Sequence, residues 1–282
     1  MSLIIAKTPE EVKIQVREWK KQGLSIGLVP TMGYLHEGHG SLIKRAVSEN
    51  DRVIVSVFVN PIQFGPNEDL ETYPRDFEAD CKLIESLGGA VVFHPEPADM
   101  YASDFSTSIN VTGVSENLCG ARRPGHFSGV CTVVTKLFNI SEADRAYFGQ
   151  KDAQQLAVVK RMVRDLNTNI EIIGCPIIRE DDGLAKSSRN TYLSHEERQA
   201  ATILNKALTL GREMVDNGVT DAEAVKTKIT ETINTEPLAK IDYVELVDWN
   251  SIEPVSEITG PVLCAIAVYI GRTRLIDNFI KE

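Results

Sequence analysis

The chain has 282 residues, 43% hydrophobic and 25% charged, enough for a well-buried core and more in keeping with two domains than one. Thirty basic against forty acidic residues leave a net charge of −10, which argues against a nucleic-acid or anionic-membrane binder, and no apolar run approaches a membrane span. A polyphosphate ligand would therefore need a local basic cluster against an acidic background.

Five cysteines (Cys81, Cys119, Cys131, Cys175 and Cys264) are scattered, with no Cys-x-x-Cys pair and no zinc-ligand spacing. The only apolar run near the N-terminus is Leu3 to Ala6, too short for a secretory leader. Both features lead us to expect a reducing, cytoplasmic setting.

In chain order, residues 1–8 read as a short strand. Thr8-Pro9-Glu10-Glu11 combines an N-cap, a proline at the first helical position and a capping-box glutamate, so a helix is expected to about Gln22. Leu24 to Pro30 is an apolar run of strand length. It enters the Gly-rich turn Thr31-Met32-Gly33-Tyr34-Leu35-His36-Glu37-Gly38-His39. From Gly40 to Asn50 the apolar residues Leu42, Ile43, Ala46 and Val47 have helical spacing. Two histidines in a His-x-Gly-His pattern thus sit where a strand hands over to a helix, a place where free N–H groups and the helix dipole favour anions. We read the pattern as a phosphate clamp.

Arg52 to Val59 is β-branched and nearly all apolar, as in a strand buried on both faces of a parallel sheet. It ends in the loop Asn60-Pro61-Ile62-Gln63-Phe64. A helix over about 75–87 and a strand at 90–93 follow. Ile109 to Val111 is a further strand candidate, and Leu118 to Gly129 reads as loop. A helix is expected over about 127–140, a strand at 145–148, a turn at Gly149-Gln150-Lys151-Asp152, and a helix to about Leu166. Ile170 to Ile173 and Pro176 to Ile178 close this half. The alternation predicts a doubly wound parallel sheet over 1–180, whose ligands would bind beyond the strand C-termini.

Beyond residue 180 the pattern changes. Capping boxes at Ser194–Glu197 and Thr220–Glu223 predict helices over about 195–216 and 221–234. Strands at 241–247, 262–269 and 273–278 complete a smaller α+β domain over 181–282, which would act as a lid. The segment Asp182-Gly183-Leu184-Ala185-Lys186-Ser187-Ser188-Arg189-Asn190 offers two cations and two hydroxyls within four residues. Neither a Walker A sequence nor a Gly-x-Gly-x-x-Gly dinucleotide fingerprint occurs.

His36-Glu37-Gly38-His39 with the later Lys186-Ser187-Ser188-Arg189 resembles the nucleotidylyltransferase superfamily, which includes class I aminoacyl-tRNA synthetases. More narrowly, five segments resemble the pantoate–β-alanine ligase family, in the same order and over nearly the whole chain. They are Pro30 to His39, Phe58 to Phe64, Arg123 to Phe127, Phe148 to Gln155 and Ser187 to Asn190. Gln150, Ala153 and Lys186 depart from the family pattern, where Glu, Tyr and Met are usual.

The resemblance implies a Rossmann-like fold and a ligase that condenses pantoate with β-alanine through a pantoyl adenylate, using ATP with Mg²⁺. It also implies a homodimer. It assigns phosphate contacts to His36, His39, Lys151, Ser187, Ser188 and Arg189, with Lys186 as a helper. The remaining ATP positions would be Pro30, Thr31, Met32, Gly33 and Ile178, with Gly149 and Asp152 at the ribose. Pantoate and β-alanine would fall to Met32, Asn60, Gln63, Val133, Val134 and Gln155. No protein ligand for Mg²⁺ is singled out.

Overall fold

The computed structural model describes residues 2–66 and 68–282. Its elements in order are β1 (Ile4–Ala6), α1 (Pro9–Lys21), β2 (Ile26–Thr31), α2 (Glu37–Glu49), β3 (Arg52–Val57), α3 (Phe77–Ser86), β4 (Val91–Phe93) and α4 (Pro97–Met100). Then come α5 (Leu118–Arg122), α6 (His126–Ser141), β5 (Arg145–Gly149), α7 (Ala153–Asp165), β6 (Glu171–Cys175), α8 (His195–Ala200), α9 (Ile203–Asp216), α10 (Ala222–Ile233), β7 (Ala239–Asp248), β8 (Val262–Ile270) and β9 (Thr273–Lys281). Two compact units emerge: residues 1–111, 123–150 and 158–176 form one, and residues 112–122, 151–157 and 177–282 the other.

In the first unit six parallel strands take the order β1-β4-β3-β2-β5-β6. The order reverses between β2 and β5, so the crevice beyond their C-terminal ends is the topological switch point. Leu42, Ile43 and Ala46 of α2 and Ile84 of α3 pack with Val29, Val53, Val55 and Val92 on one face of the sheet. The alternate residues Leu28, Ile54 and Val91 are equally buried, so both faces are covered. That is why β3 reads as a continuous apolar run rather than an alternating one. The capping box expected at Thr8 and Glu11 is present.

In the second unit β7, β8 and β9 form an antiparallel sheet in that order, with β9 at an edge. Leu204, Ala207 and Leu208 of α9 and Val225 and Ile229 of α10 share a core with Val244, Leu246, Cys264, Ile266 and Phe279. Leu184, from the segment carrying the two hydroxyls and cations, is buried in that core and anchors it.

Four local expectations are corrected. Residues 109–111 form no strand; the Ile109 N–H is taken by the Thr132 hydroxyl instead of a strand neighbour. The stretch 118–129 is not loop, since α5 occupies its start and α6 begins at His126. The histidines do open the helix that follows them: His36 itself is the N-cap of α2. The helix expected over 195–216 breaks into α8 and α9. There the Thr202 hydroxyl bonds back to the Gln199 carbonyl, a local bond that competes with the helical ladder. The cap of α10 is Asp221, not Thr220: its carboxylate accepts from Glu223 and Ala224 N–H. All five cysteines are free.

Gly129 on α6 lies directly against the turn after β3. A Cβ there would stand 2.4 Å from the Ile62 carbonyl oxygen and 2.6 Å from the Gln63 Cα. Both neighbours are backbone, so nothing small can move aside. Gly129→Ala should therefore destabilise the fold by about 1–3 kcal/mol, the usual cost of overpacking; urea unfolding measures it, and an unchanged midpoint would contradict this close approach.

Candidate active site

The turn between β2 and α2 opens the switch point. Gly33 has φ +87°, and a Cβ there would meet Val57 and Asp80 at 2.9 and 3.0 Å, so the backbone must come this close. Asp80 of α3 is 2% exposed. One carboxylate oxygen accepts the Tyr34 N–H at 2.8 Å and the other the Leu35 N–H at 2.7 Å. Tyr34 itself sits at φ +51°, a costly conformation for a side-chain-bearing residue. The two charge-assisted bonds hold it there. Burial raises the Asp80 carboxyl above its ordinary value, and the two N–H bonds only partly offset that rise.

This turn delivers His36 and His39 in a capping box built from imidazoles. The Gly38 N–H donates to His36 Nδ1 at 3.1 Å and the His36 N–H to His39 Nδ1 at 3.3 Å. A backbone N–H can only donate, so both Nδ1 atoms are unprotonated and the neutral rings carry their proton on Nε2. The ring centroids lie 4.2 Å apart. Two Nε2–H donors at the N-terminus of a helix suit phosphate oxygens, as does the positive end of the helix dipole. Pro30 and Thr31 end β2, where the Thr31 hydroxyl donates to the Ser56 carbonyl at 2.6 Å and accepts the Gly33 N–H.

Beside this turn the segment after β3 gathers Met32, Asn60 and Gln63. Gln63 Nε2 lies 3.3 Å from Met32 Sδ, and Asn60 Nδ2 donates to Gln63 Oε1 at 3.0 Å. Asn60 is 1% exposed. Its amide also donates to the Gly129 carbonyl and accepts the Tyr101 hydroxyl, so it serves to set Gln63. Burial pushes the Tyr101 hydroxyl well above its usual range, so it is a standing donor. Val133 and Val134 of α6 are both buried.

Behind Gln63 runs a further chain. Glu68 takes two bonds from Arg123, at 2.7 and 2.5 Å, and Arg123 Nη1 contacts His126 Nε2 at 2.9 Å. A guanidinium only donates, so His126 Nε2 accepts and its Nδ1–H donates to the Gln63 carbonyl at 2.9 Å. Burial alone would raise the Glu68 carboxyl, but the Arg123 pair holds it below its ordinary value.

The other expected residues belong to the second unit, except Gly149 at the end of β5. Lys151 and Asp152 lie in a 3-10 turn leading into α7, Lys151 half-buried and Asp152 exposed. Of the two glutamines that follow, Gln155 is half-buried, whereas Gln154 is buried and donates to the Val114 and Asn117 carbonyls at 3.0 and 2.7 Å. Ser187 caps the 3-10 turn Ser188–Tyr192 through the Arg189 N–H. The Lys186 N–H donates to the Ile178 carbonyl, and its ammonium pairs with Glu180 at 3.1 Å. Its charge is thus partly spent within the loop.

Sequence reasoning missed Asp80 and Glu68, and it placed Arg123, His126 and Gln154 in family-like segments without finding their partners. Asp80 had a signal: it sits on the apolar stripe of α3 with Phe77 and Ile84, where an ionised carboxylate demands partners. His94, by contrast, stacks on Phe77 and contacts the Val57 carbonyl, a packing role. Among the described residues no three His, Cys, Asp or Glu side chains converge to hold a metal, and no helix is long and apolar enough to cross a membrane.

Comparison with known proteins gives a consistent answer. Residues 4–280 match the family model described as pantoate-beta-alanine ligase. A pantothenate synthetase of Enterococcus faecalis is 63% identical over 280 residues, covering 99% of each chain. One from Clostridium acetobutylicum is 64% identical, covering 95% of this chain and 96% of its own. Among solved structures, the pantothenate synthetase of Thermus thermophilus superposes with a TM-score of 0.93 at 44% identity, covering 98% of both chains. The pantoate-beta-alanine ligase of Francisella tularensis, complexed with β-γ ATP and β-alanine, gives 0.80 at 38% identity, covering 99% of this chain and 97% of its own.

Asp80 generates a pH prediction. Because burial raises its folded value above the ordinary 3.8, the folded state binds the proton more tightly than the unfolded chain. The cost of ionising it is absent below the unfolded value and complete above the folded one. The unfolding free energy of the wild type minus that of Asp80→Asn should therefore fall as pH rises through this interval. Denaturant melts of both proteins across mildly acidic pH measure it; a rising difference would be the wrong sign.

Proposed function

This chain belongs to the pantoate–β-alanine ligase family, and from that premise we propose how its residues divide the reaction. The enzyme condenses pantoate with β-alanine at the expense of ATP, giving pantothenate, AMP and pyrophosphate. A carboxylate oxygen of pantoate attacks the α-phosphorus, and the bond to the bridging oxygen breaks as pyrophosphate leaves. The neutral amine of β-alanine then attacks the acyl carbon of pantoyl adenylate; AMP departs, and the nitrogen loses a proton.

Pantoate is already ionised at neutral pH, so the first step needs no general base. It needs alignment and relief of charge on the α-phosphate and the departing pyrophosphate. His36 and His39 supply that relief through their Nε2–H groups, and the imidazole capping box is the observation that carries this reading. Lys151, Ser187, Ser188 and Arg189 hold the triphosphate, with Lys186 assisting when it leaves Glu180. Pro30, Thr31, Met32, Gly33 and Ile178 line the nucleotide, and Gly149 and Asp152 meet the ribose. Gln63 and Gln155 hold the hydroxyls and carboxylate of pantoate, since each amide both donates and accepts. Met32, Val133 and Val134 pack on its methyl groups. Asn60 acts through Gln63.

Mg²⁺ accompanies the triphosphate in this proposal. With no cluster of carboxylates among the described residues to cage it, its ligands would be mainly phosphate oxygens and water, as is usual for this ion. A homodimer and a cytoplasmic location belong to the same proposal.

Following pyrophosphate and AMP separately tests the scheme. ATP with pantoate alone should release pyrophosphate in a single turnover, and AMP should appear only when β-alanine is added. AMP without the amine would rule out a stable adenylate. In the same assay His36→Ala or His39→Ala should slow pyrophosphate release by roughly a hundredfold or more, the usual loss for one charge-stabilising donor. Normal rates in both would remove the clamp. Gln155→Ala should raise the KM for pantoate while leaving that for ATP; the opposite pattern would move Gln155 to the nucleotide.

A further inference from the structure

Two adjacent polar residues of β9, Asp277 and Asn278, are 2% and 4% exposed and have no part in the scheme above. Successive side chains leave a strand on opposite faces, and each of these reaches a different ATP-binding segment of the same unit. The Asp277 carboxylate takes two bonds from Arg179, at 2.6 and 3.0 Å, and Arg179 also donates to the Gly183 carbonyl at 3.0 Å. Those bonds brace the base of a small hairpin. In it Arg179 bridges Ala185, the Glu180 N–H donates to the Leu184 carbonyl, and the Lys186 N–H donates to the Ile178 carbonyl. The hairpin delivers Ser187, Ser188 and Arg189. On the other face Asn278 Nδ2 donates to the Lys151 carbonyl at 2.9 Å. The two residues are themselves linked, since the Asn278 N–H donates to Asp277 Oδ1 at 2.7 Å. As an edge strand β9 has one side without a strand partner, and it also packs against the turn Ser188–Tyr192.

We infer that Asp277 and Asn278 are positioning residues for ATP: one strand sets both the hairpin carrying Ser187–Arg189 and the main chain at Lys151. The inference rests on the assignment of Lys151 and Ser187–Arg189 to the triphosphate. A buried ion pair is a weak source of net stability, because desolvation offsets much of its attraction. Direction is what a bidentate Asp–Arg pair supplies. Here it fixes the direction in which the hairpin leaves its base, beside the turn at Gly183, which has φ +90°. A cation and two hydroxyls on one segment and a lysine on another can meet one triphosphate only if their spacing is fixed before it binds.

The test uses steady-state kinetics of the full-length enzyme. Asn278→Asp keeps the size of the side chain but replaces its N–H donor with a carboxylate. The double variant Asp277→Asn with Arg179→Gln removes the pair without leaving a buried charge unmatched. Each should raise the KM for ATP by on the order of tenfold to a hundredfold. The KM values for pantoate and β-alanine should stay within about twofold, and thermal unfolding should stay cooperative. In a Lys151→Ala background, Asn278→Asp should add less than about twofold, because what it positions is already gone. Equal rises in all three KM values, or full multiplication of the two effects, would make β9 merely structural and overturn the inference. If Lys151→Ala and Arg189→Ala themselves leave the ATP KM unchanged, the ATP assignment fails first, a result distinct from failure of the β9 variants alone.

Discussion

Everything at the switch point depends on the backbone of residues 33–39 being held in a conformation it would not choose unaided. Asp80 does this from α3, with one carboxylate oxygen on each of two consecutive N–H groups. The turn then ends in a cap made by imidazoles instead of hydroxyls or carboxylates. An ordinary Ser or Asp cap would satisfy the same N–H groups. Histidine satisfies them through Nδ1, which leaves the ring proton on Nε2.

A similar economy governs charge. The protein is acidic overall, yet its proposed task is to neutralise a polyanion. In the proposed scheme neutral imidazole donors, a helix N-terminus and hydroxyls would supply much of the stabilisation without adding net charge. The cations are few, and their carboxylate partners are placed with purpose. Arg179 is committed to Asp277 and Arg123 to Glu68, so both act as struts. Lys186 is intermediate: its ammonium pairs with the partly exposed Glu180 at 3.1 Å.

Much of this was legible in the residues. Strand–helix alternation, the buried character of β3 and the caps at Thr8 and Ser194 all follow from local preference, and each is present. The His-x-Gly-His pattern announced itself because glycine and histidine have few other reasons to cluster at a strand end. Asp80, Gln154 and Asp277 were not legible as supports for the segments they hold. Each acts through a partner far along the chain, and a single buried polar residue looks the same whether it braces a loop or a core. The break at Thr202 was missed for a related reason: periodicity runs straight through it, and only a hydroxyl turned back on Gln199 reveals it.

The sequence alone determined most of the order of elements, because periodicity and capping are short-range properties written in neighbouring residues, and the resemblance of its motifs to a known family implied the class of chemistry. Only the tertiary structure decided the hold of Asp80 on the turn before His36, the role of Asn60 as a support for Gln63, and the bracing of two distant segments by β9. Those depend on which hydrogen-bond donors and acceptors are brought within about 3 Å of each other, and folding alone settles that.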